Sequence, residues 1–300
     1  MRKISDELAE TAMDSIERIA GKHPGCRRAH AKGSYYEAVF TPNGQAALYT
    51  TAAHLQQEPV KAVVRFSDSS PNPNMIDGLS PVKGMSVQFH LPDGSTTYLT
   101  SVTVPVFLTK TPEAFIEMIR LAADKPGPRD LVKMFLKYPE SKAAFRIIKH
   151  TKPFISYSTS RYYPIHAFYF VNEKGEKQPV KYEWTPDDTF QLKAKQEAAM
   201  HAADYLEAEL DEQLPIGFDL TITLGEEGDA VDDSTASWPP ERKTISIGHL
   251  DIGAKIQQPN DHIVFDPTIV PEGIECPNDP VLHARHDLYA ASFKRRSQDM

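Results

Sequence analysis

This chain of 300 residues predicts an α+β fold: an antiparallel β-barrel with helices packed outside it. Three observations support that. Apolar and polar residues alternate through most of 34–108, and again through 166–184 and 218–252, the period of half-buried strands. Helical spacings fall between these blocks rather than between successive strands, which disfavours a doubly wound parallel sheet. Composition is that of a globular protein, 40% hydrophobic and 25% charged. A chain this long can bury roughly three quarters of its surface.

In chain order, Ile4, Leu8, Ile16 and Ile19 sit at helical spacings with acidic residues between them. They predict an amphipathic helix ending near Gly21, with Pro24 and Gly25 as the stop. Residues 1–24 read as an N-terminal helix or arm, and 25–300 as a single domain. Ala62, Val64 and Phe66 then alternate with Val63, Arg65 and Ser67, and Met85, Val87 and Phe89 with Ser86, Gln88 and His90. The turns PNGQ (42–45) and PDGS (92–95) separate such runs. Helices are expected over 112–123 and 129–149, parted by Pro126, Gly127 and Pro128. A hairpin follows over 166–172 and 180–184, turning at Lys174-Gly175, and then a helix over 194–212. Strands return at 218–224 and 245–252, and Asp279-Pro280 starts a last helix to about 297. The acidic, polar stretch 225–241 reads as a mobile surface loop. No internal repeat or low-complexity segment is present.

Thirty-three basic against 41 acidic residues leave a charge of -8, so no general affinity for nucleic acid or an anionic membrane is expected. Cys26 and Cys276 are too few for a disulfide framework and suit a reducing compartment. No run approaches the eighteen or so apolar residues of a membrane span, and the N-terminus lacks an apolar signal core. A soluble, cytoplasmic protein is expected. G-x-S-x-G, P-loop, G-x-G-x-x-G and H-E-x-x-H motifs are absent. His283 and His286 have metal-compatible spacing but no third ligand nearby, and read as surface histidines.

Two segments are more specific. In RRAHAKGSYYEAVF (27–40), His30 precedes Ala-Lys-Gly and an aromatic strand. In HARHDLYAASFKRR (283–296), Arg285 lies four residues before Tyr289, a spacing that stacks guanidinium over phenol on one helix face. A fixed cation favours the phenolate, a hard ligand for ferric iron. Read alone, His30 would be a satisfied core or surface residue and Tyr289 helix packing.

Taken together, the chain resembles the heme catalase superfamily, and within it the short catalase-related peroxidases. The resemblance rests on H-A-K-G (30–33), V-R-F-S (64–67), K-G-M-S-V-Q-F (83–89) and P-V-F (105–107) with T-P-E-A-F (111–115). H-A-F-Y-F-V-N (166–172), F-D-P-x-x-x-P-x-G-I-E (265–275) and R-x-x-x-Y (285–289) complete it, in the family's order. It implies heme b as cofactor, with Tyr289 on the iron and Arg285 keeping it ionised. Tyrosine is the known axial ligand of catalases, so the ligand type comes with the resemblance. It further implies His30 as the distal acid–base residue, oriented by Ser67. Arg27, Arg65 and Arg296 would pair with the propionates, and Phe115 would stack on the porphyrin. His166 and Asn172 match family positions read as structural support. The implied core is an eight-stranded antiparallel barrel.

The pattern also departs from full catalases. Their distal asparagine, three residues before the proline of P-V-F, is Val102 here, and Thr103, Ser101 or Thr100 could replace it only in another strand register. The basic residue before Gly84 is Lys83, and Ala29 replaces a bulkier residue before His30. The short chain implies no tight tetramer and no bound nicotinamide nucleotide. A peroxidase is therefore expected, reducing hydrogen peroxide or organic hydroperoxides with an unknown external electron donor and releasing little oxygen. It would be a monomer or homodimer, without nucleic-acid or membrane partners. Rearrangement or cleavage of fatty-acid hydroperoxides, and non-catalytic heme binding, are the alternatives.

Overall fold

The computed structural model describes residues 4–124, 127–150, 156–187, 204–259 and 262–298. Its strands are β1 (Gly33–Pro42), β2 (Val60–Asp68), β3 (Lys83–His90), β4 (Thr96–Val102), β5 (Ala167–Val171), β6 (Lys177–Pro186), β7 (Ile216–Leu224), β8 (Thr244–Lys255) and β9 (Ile274–Glu275). They form one sheet, ordered β4-β3-β2-β1-β8-β7-β6-β5-β9, with every pair antiparallel. Eight strands are long and β9 contributes two residues. The sheet curls back on itself: Tyr163 bridges to Val102 on β4, while Tyr162 bridges to Trp184 on β6. The predicted alternation sets the faces. Phe66, Val87, Phe89, Phe218 and Trp184 enclose the interior core, whereas Asp219 faces solvent.

The helices are α1 (Asp6–Ala20), α2 (Pro112–Ala123), α3 (Pro128–Lys137), α4 (Ser141–His150), α5 (Tyr205–Gln213) and α6 (Pro280–Gln298). Ser5 caps α1 by accepting from Leu8 N, and Gly21 ends it at φ 87°, the left-handed region open to glycine. Ala12 and Met13 on α1 pack with Ile116 on α2 and Ala291 on α6. Arg295 adds ion pairs to Glu10, Asp14 and Glu17 along α1. Asp279 caps α6, its Oδ1 accepting from Val281 N and Leu282 N.

Some expectations need correcting. The single helix over 129–149 is two, because Pro139 cannot donate to the helical ladder and pushes Tyr138 out of helical geometry (φ -124°, ψ 71°). Of the helix expected over 194–212, residues 194–203 lie outside the described residues and α5 is the remainder. The 225–241 loop is tied down: Trp238 donates to Ala230 O, Ser234 O accepts from Phe107 N, and Arg242 pairs with Asp229. Cys26 and Cys276 are both free. No helix among the described residues is long and apolar enough to cross a membrane.

Candidate active site

Strand register builds the floor of the site. Ser67 on β2 pairs with Gly33 on β1 and Gly84 on β3, and Gly84 pairs with Val102 on β4. Two residues along, Arg65 pairs with Tyr35 and Ser86, and Ser86 with Thr100. Side chains alternate across a strand, so these rows share the face opposite Phe66 and Met85. Helices α1, α2, α4 and α6 roof that face, enclosing a cavity of about 530 Å³. That lies within the range of small-molecule sites, roughly 300–1,000 Å³. All eight residues singled out in the sequence line it: Arg27, His30, Arg65, Ser67, Phe115, Arg285, Tyr289 and Arg296.

His30 is the one described non-glycine residue with positive φ, at 53°. Arg65 holds that turn, donating from Nη2 to His30 O at 2.9 Å. The ring lies against Gly84, where a Cβ would stand 2.8 Å from both Cε1 and Nδ1. Nδ1 shares a 2.9 Å hydrogen bond with Ser67 Oγ. Burial, then the charges of Arg65, Arg285, Arg27 and Lys83, lower the His30 pKa to about 3, so the imidazole is neutral at pH 7. Lys83 is itself fully buried, with Nζ 2.5 Å from Asp68 Oδ1.

Helix α6 brings in Tyr289, whose Oη accepts from Arg285 Nη2 at 2.5 Å and Nε at 3.2 Å. A guanidinium only donates, so Tyr289 Oη is the acceptor in both bonds. Further cations gather in one corner. Arg27 Nη2 donates to Tyr35 Oη at 2.6 Å and to Ile263 O at 2.9 Å, and Arg296 Nη2 donates to the same carbonyl at 3.2 Å. The Arg65 guanidinium lies 5.5 Å from the centroid of the Tyr35 ring. Phe115 packs on Phe107, centroids 4.9 Å apart.

Val102 and Ala29 also line the cavity. None of the three hydroxyls considered as substitutes for the missing asparagine takes its place. Thr103 Oγ1 accepts from Lys83 N, Thr100 Oγ1 donates to Phe265 O, and Ser101, although it borders the cavity, pairs with Met85 and so alternates to the face away from Val102. His283 and His286 diverge, to Pro277 O and Asp266 Oδ2, and share no site. Sequence reasoning missed Gly84, Tyr35 and Asp279. Asp279 Oδ2 lies 2.6 Å from Nδ1 of buried His166, so the pair anchors the helix that carries Arg285 and Tyr289. The only sequence signal was Asp279-Pro280, which marks a helix start but not its partner.

The catalase family model matches residues 10–298. This chain belongs to the catalase family. It is 33% identical to a catalase-related peroxidase of Mycolicibacterium paratuberculosis, covering 96% of this chain and 94% of that protein. A catalase-related peroxidase of Synechococcus elongatus is 31% identical, covering 97% of this chain and 89% of that one. The fold superposes on a bacterial catalase with a TM-score of 0.78 at 21% identity, over 92% of this chain and 58% of the catalase. A fungal catalase gives 0.77 at 20% identity, over 92% and 60%. The chain thus spans less than two thirds of these solved catalases, while matching the catalase-related peroxidases nearly end to end.

Proposed function

We propose that this chain is a heme b peroxidase of the catalase-related type, reducing hydrogen peroxide or organic hydroperoxides with electrons from an external donor. It is an oxidoreductase acting on peroxide, as its near-full-length likeness to two catalase-related peroxidases indicates. One observation carries the reading further: His30 bonded to Ser67, and Tyr289 bonded twice by Arg285, line a single cavity.

The residues present fit a heme. Arg27, Arg65 and Arg296 meet at Tyr35 and Ile263 O, a cationic corner suited to a ligand with two carboxylates. Tyr289 offers an oxygen ligand, and Phe115 an apolar surface for the ring. Bound there, heme would supply the iron at which peroxide is activated. The protein's own part is proton handling and exclusion. Neutral His30 has Nδ1 engaged by Ser67, which leaves Nε2 to take the proton of an incoming peroxide and return it to the departing oxygen. Arg285 fixes Tyr289 Oη in place with two hydrogen bonds. Val102 adds no donor beside His30, so a second peroxide is poorly held and the electrons must come from elsewhere. A missing preorganised donor typically costs about a hundredfold or more.

The test is turnover by heme-loaded protein with a one-electron donor, followed together with oxygen release. Donor oxidation with little oxygen is expected. His30→Ala should retain heme uptake, read by absorption, and lose turnover. Oxygen release matching a full catalase would overturn the reading. Donor-independent loss of a lipid hydroperoxide would instead favour isomerisation, which the apolar Val102 and Ala29 would accommodate.

A further inference from the structure

A net charge of -8 conceals a segregated surface. Helices α3 and α4 form a hairpin, with Phe135 packed edge-on against Phe145 at 5.2 Å and with Met134 and Ala144 buried. On the outside, Val132 is 58% exposed and Leu136, one turn on, 73%. Arg129 and Lys133 run alongside them with the same spacing. The exposed positions of α4 are Lys142, Ala143, Arg146, Lys149 and His150, without an acid among them. Residues 127–150 carry six Lys or Arg against Asp130 and Glu140, a surplus of four positive charges. Lys137 is neutralised by Glu117 at 2.6 Å. The other five cations form no ion pair among the described residues.

We propose that this hairpin docks the protein on an anionic lipid bilayer, with Val132 and Leu136 in the interfacial layer and Arg129, Lys133, Lys142, Arg146 and Lys149 among the headgroups. Apolar residues bordered by long cationic side chains are what an interfacial helix needs, since the stems follow the apolar layer while the charges stay wet. A second copy of this face would bring like charges together. An acidic protein would satisfy the lysines but would not need a leucine held in water. The docked hairpin would lie next to the cavity, whose wall includes Ala144 and Ile148 of α4. The proposal needs no cofactor, so it stands or falls apart from the peroxidase reading.

The experiment is co-sedimentation of the full chain with phosphatidylcholine vesicles, with and without phosphatidylglycerol. Binding to the anionic vesicles alone is expected, weakening as salt shortens the screening length. Each cation near such a surface is worth roughly fivefold in partitioning, so Lys142→Gln, Arg146→Gln and Lys149→Gln together should lower it about a hundredfold. Val132→Ser with Leu136→Ser should lower it at least about tenfold. Both variants should melt as wild type does, because the altered side chains are exposed. Four results would overturn the proposal. They are no binding to anionic vesicles at low salt, binding that neither variant weakens, a dimer that Leu136→Ser dissociates, and polyglutamate binding as tight as vesicle binding and indifferent to Val132 and Leu136.

Discussion

Gly84→Ala tests how closely the floor of the site is fitted to His30. Gly84 stands between Ser67 and Val102 in register, and an added Cβ would lie 2.8 Å from His30 Cε1 and Nδ1 and 2.8 Å from Ser67 Oγ. Carbon contacts relax to about 3.5–4.0 Å, so the ring must retreat by roughly 1 Å. Ser67 cannot follow, because its backbone is fixed between β1 and β3. The 2.9 Å bond to Nδ1 therefore opens. Misplacing a reacting group by about 1 Å costs about a hundredfold in rate, and overpacking costs about 1–3 kcal/mol of stability. Heme uptake by absorption titration, kcat with a one-electron donor and a thermal melt separate these effects. We expect kcat to fall on the order of a hundredfold while heme affinity stays within about threefold. Ser67→Ala, which removes the bond without crowding, should cost only about tenfold. A folded Gly84→Ala protein with near-wild-type kcat would refute the reasoning, since the acid–base group could not then be a histidine held against this floor.

Three further outcomes follow from the same geometry. Val102→Asn puts a donor beside His30 and should raise oxygen release per peroxide consumed by about tenfold or more, measured with an oxygen electrode. Arg285→Gln removes both guanidinium bonds to Tyr289 Oη, and at about 1.5–3 kcal/mol for charge-assisted bonds should weaken heme binding by at least about tenfold, read by titration. His54, buried in the barrel beside Phe89, has its pKa lowered from 6.5 to about 3 by burial. Folding therefore excludes a proton that the unfolded chain binds between those values: this contribution is complete above pH 6.5 and is lost as pH falls towards 3. At about 1.4 kcal/mol per pH unit, His54→Leu should reduce the stability lost between pH 6.5 and 5 by about 2 kcal/mol, measured by urea unfolding.

The barrel was legible because alternation is a local signal. Phe218, Leu220 and Ile222 against Asp219, Thr221 and Thr223 declare a strand and its buried face with no help from the rest of the chain. Helix ends were legible where a cap or a proline marks them, as at Asp279-Pro280, and Tyr138-Pro139 carried the same signal unread. The 225–241 loop misled because its acidic composition outweighs Trp238 and Ser234, which fasten it down. Candidate site residues were recognised segment by segment, but their convergence was not. Ser67, Gly84 and Val102 become neighbours only through antiparallel register, which period-two patterning leaves undetermined by even numbers of residues.

That register explains why the departure at Val102 matters more than its conservative size suggests. The row Gly33, Ser67, Gly84, Val102 crosses four strands, and the missing side chain at Gly84 leaves a trough into which the imidazole settles, while the Arg65 guanidinium fills the space at Gly33. One rim of the trough, Ser67, is polar and binds the ring. The other rim, Val102, is apolar and binds nothing. On the proposed reading, a peroxide arriving over His30 would meet one proton acceptor and no side-chain donor at position 102, which would serve to cleave one peroxide but not to orient a second as reductant. Ser86 and Thr100, the next hydroxyls on that face, lie a row away beside Arg65, where Thr100 is already committed to Phe265 O. Restoring a donor therefore requires changing position 102 itself, and the same substitution at 100 or 103 should leave the ratio of oxygen released to donor oxidised unchanged.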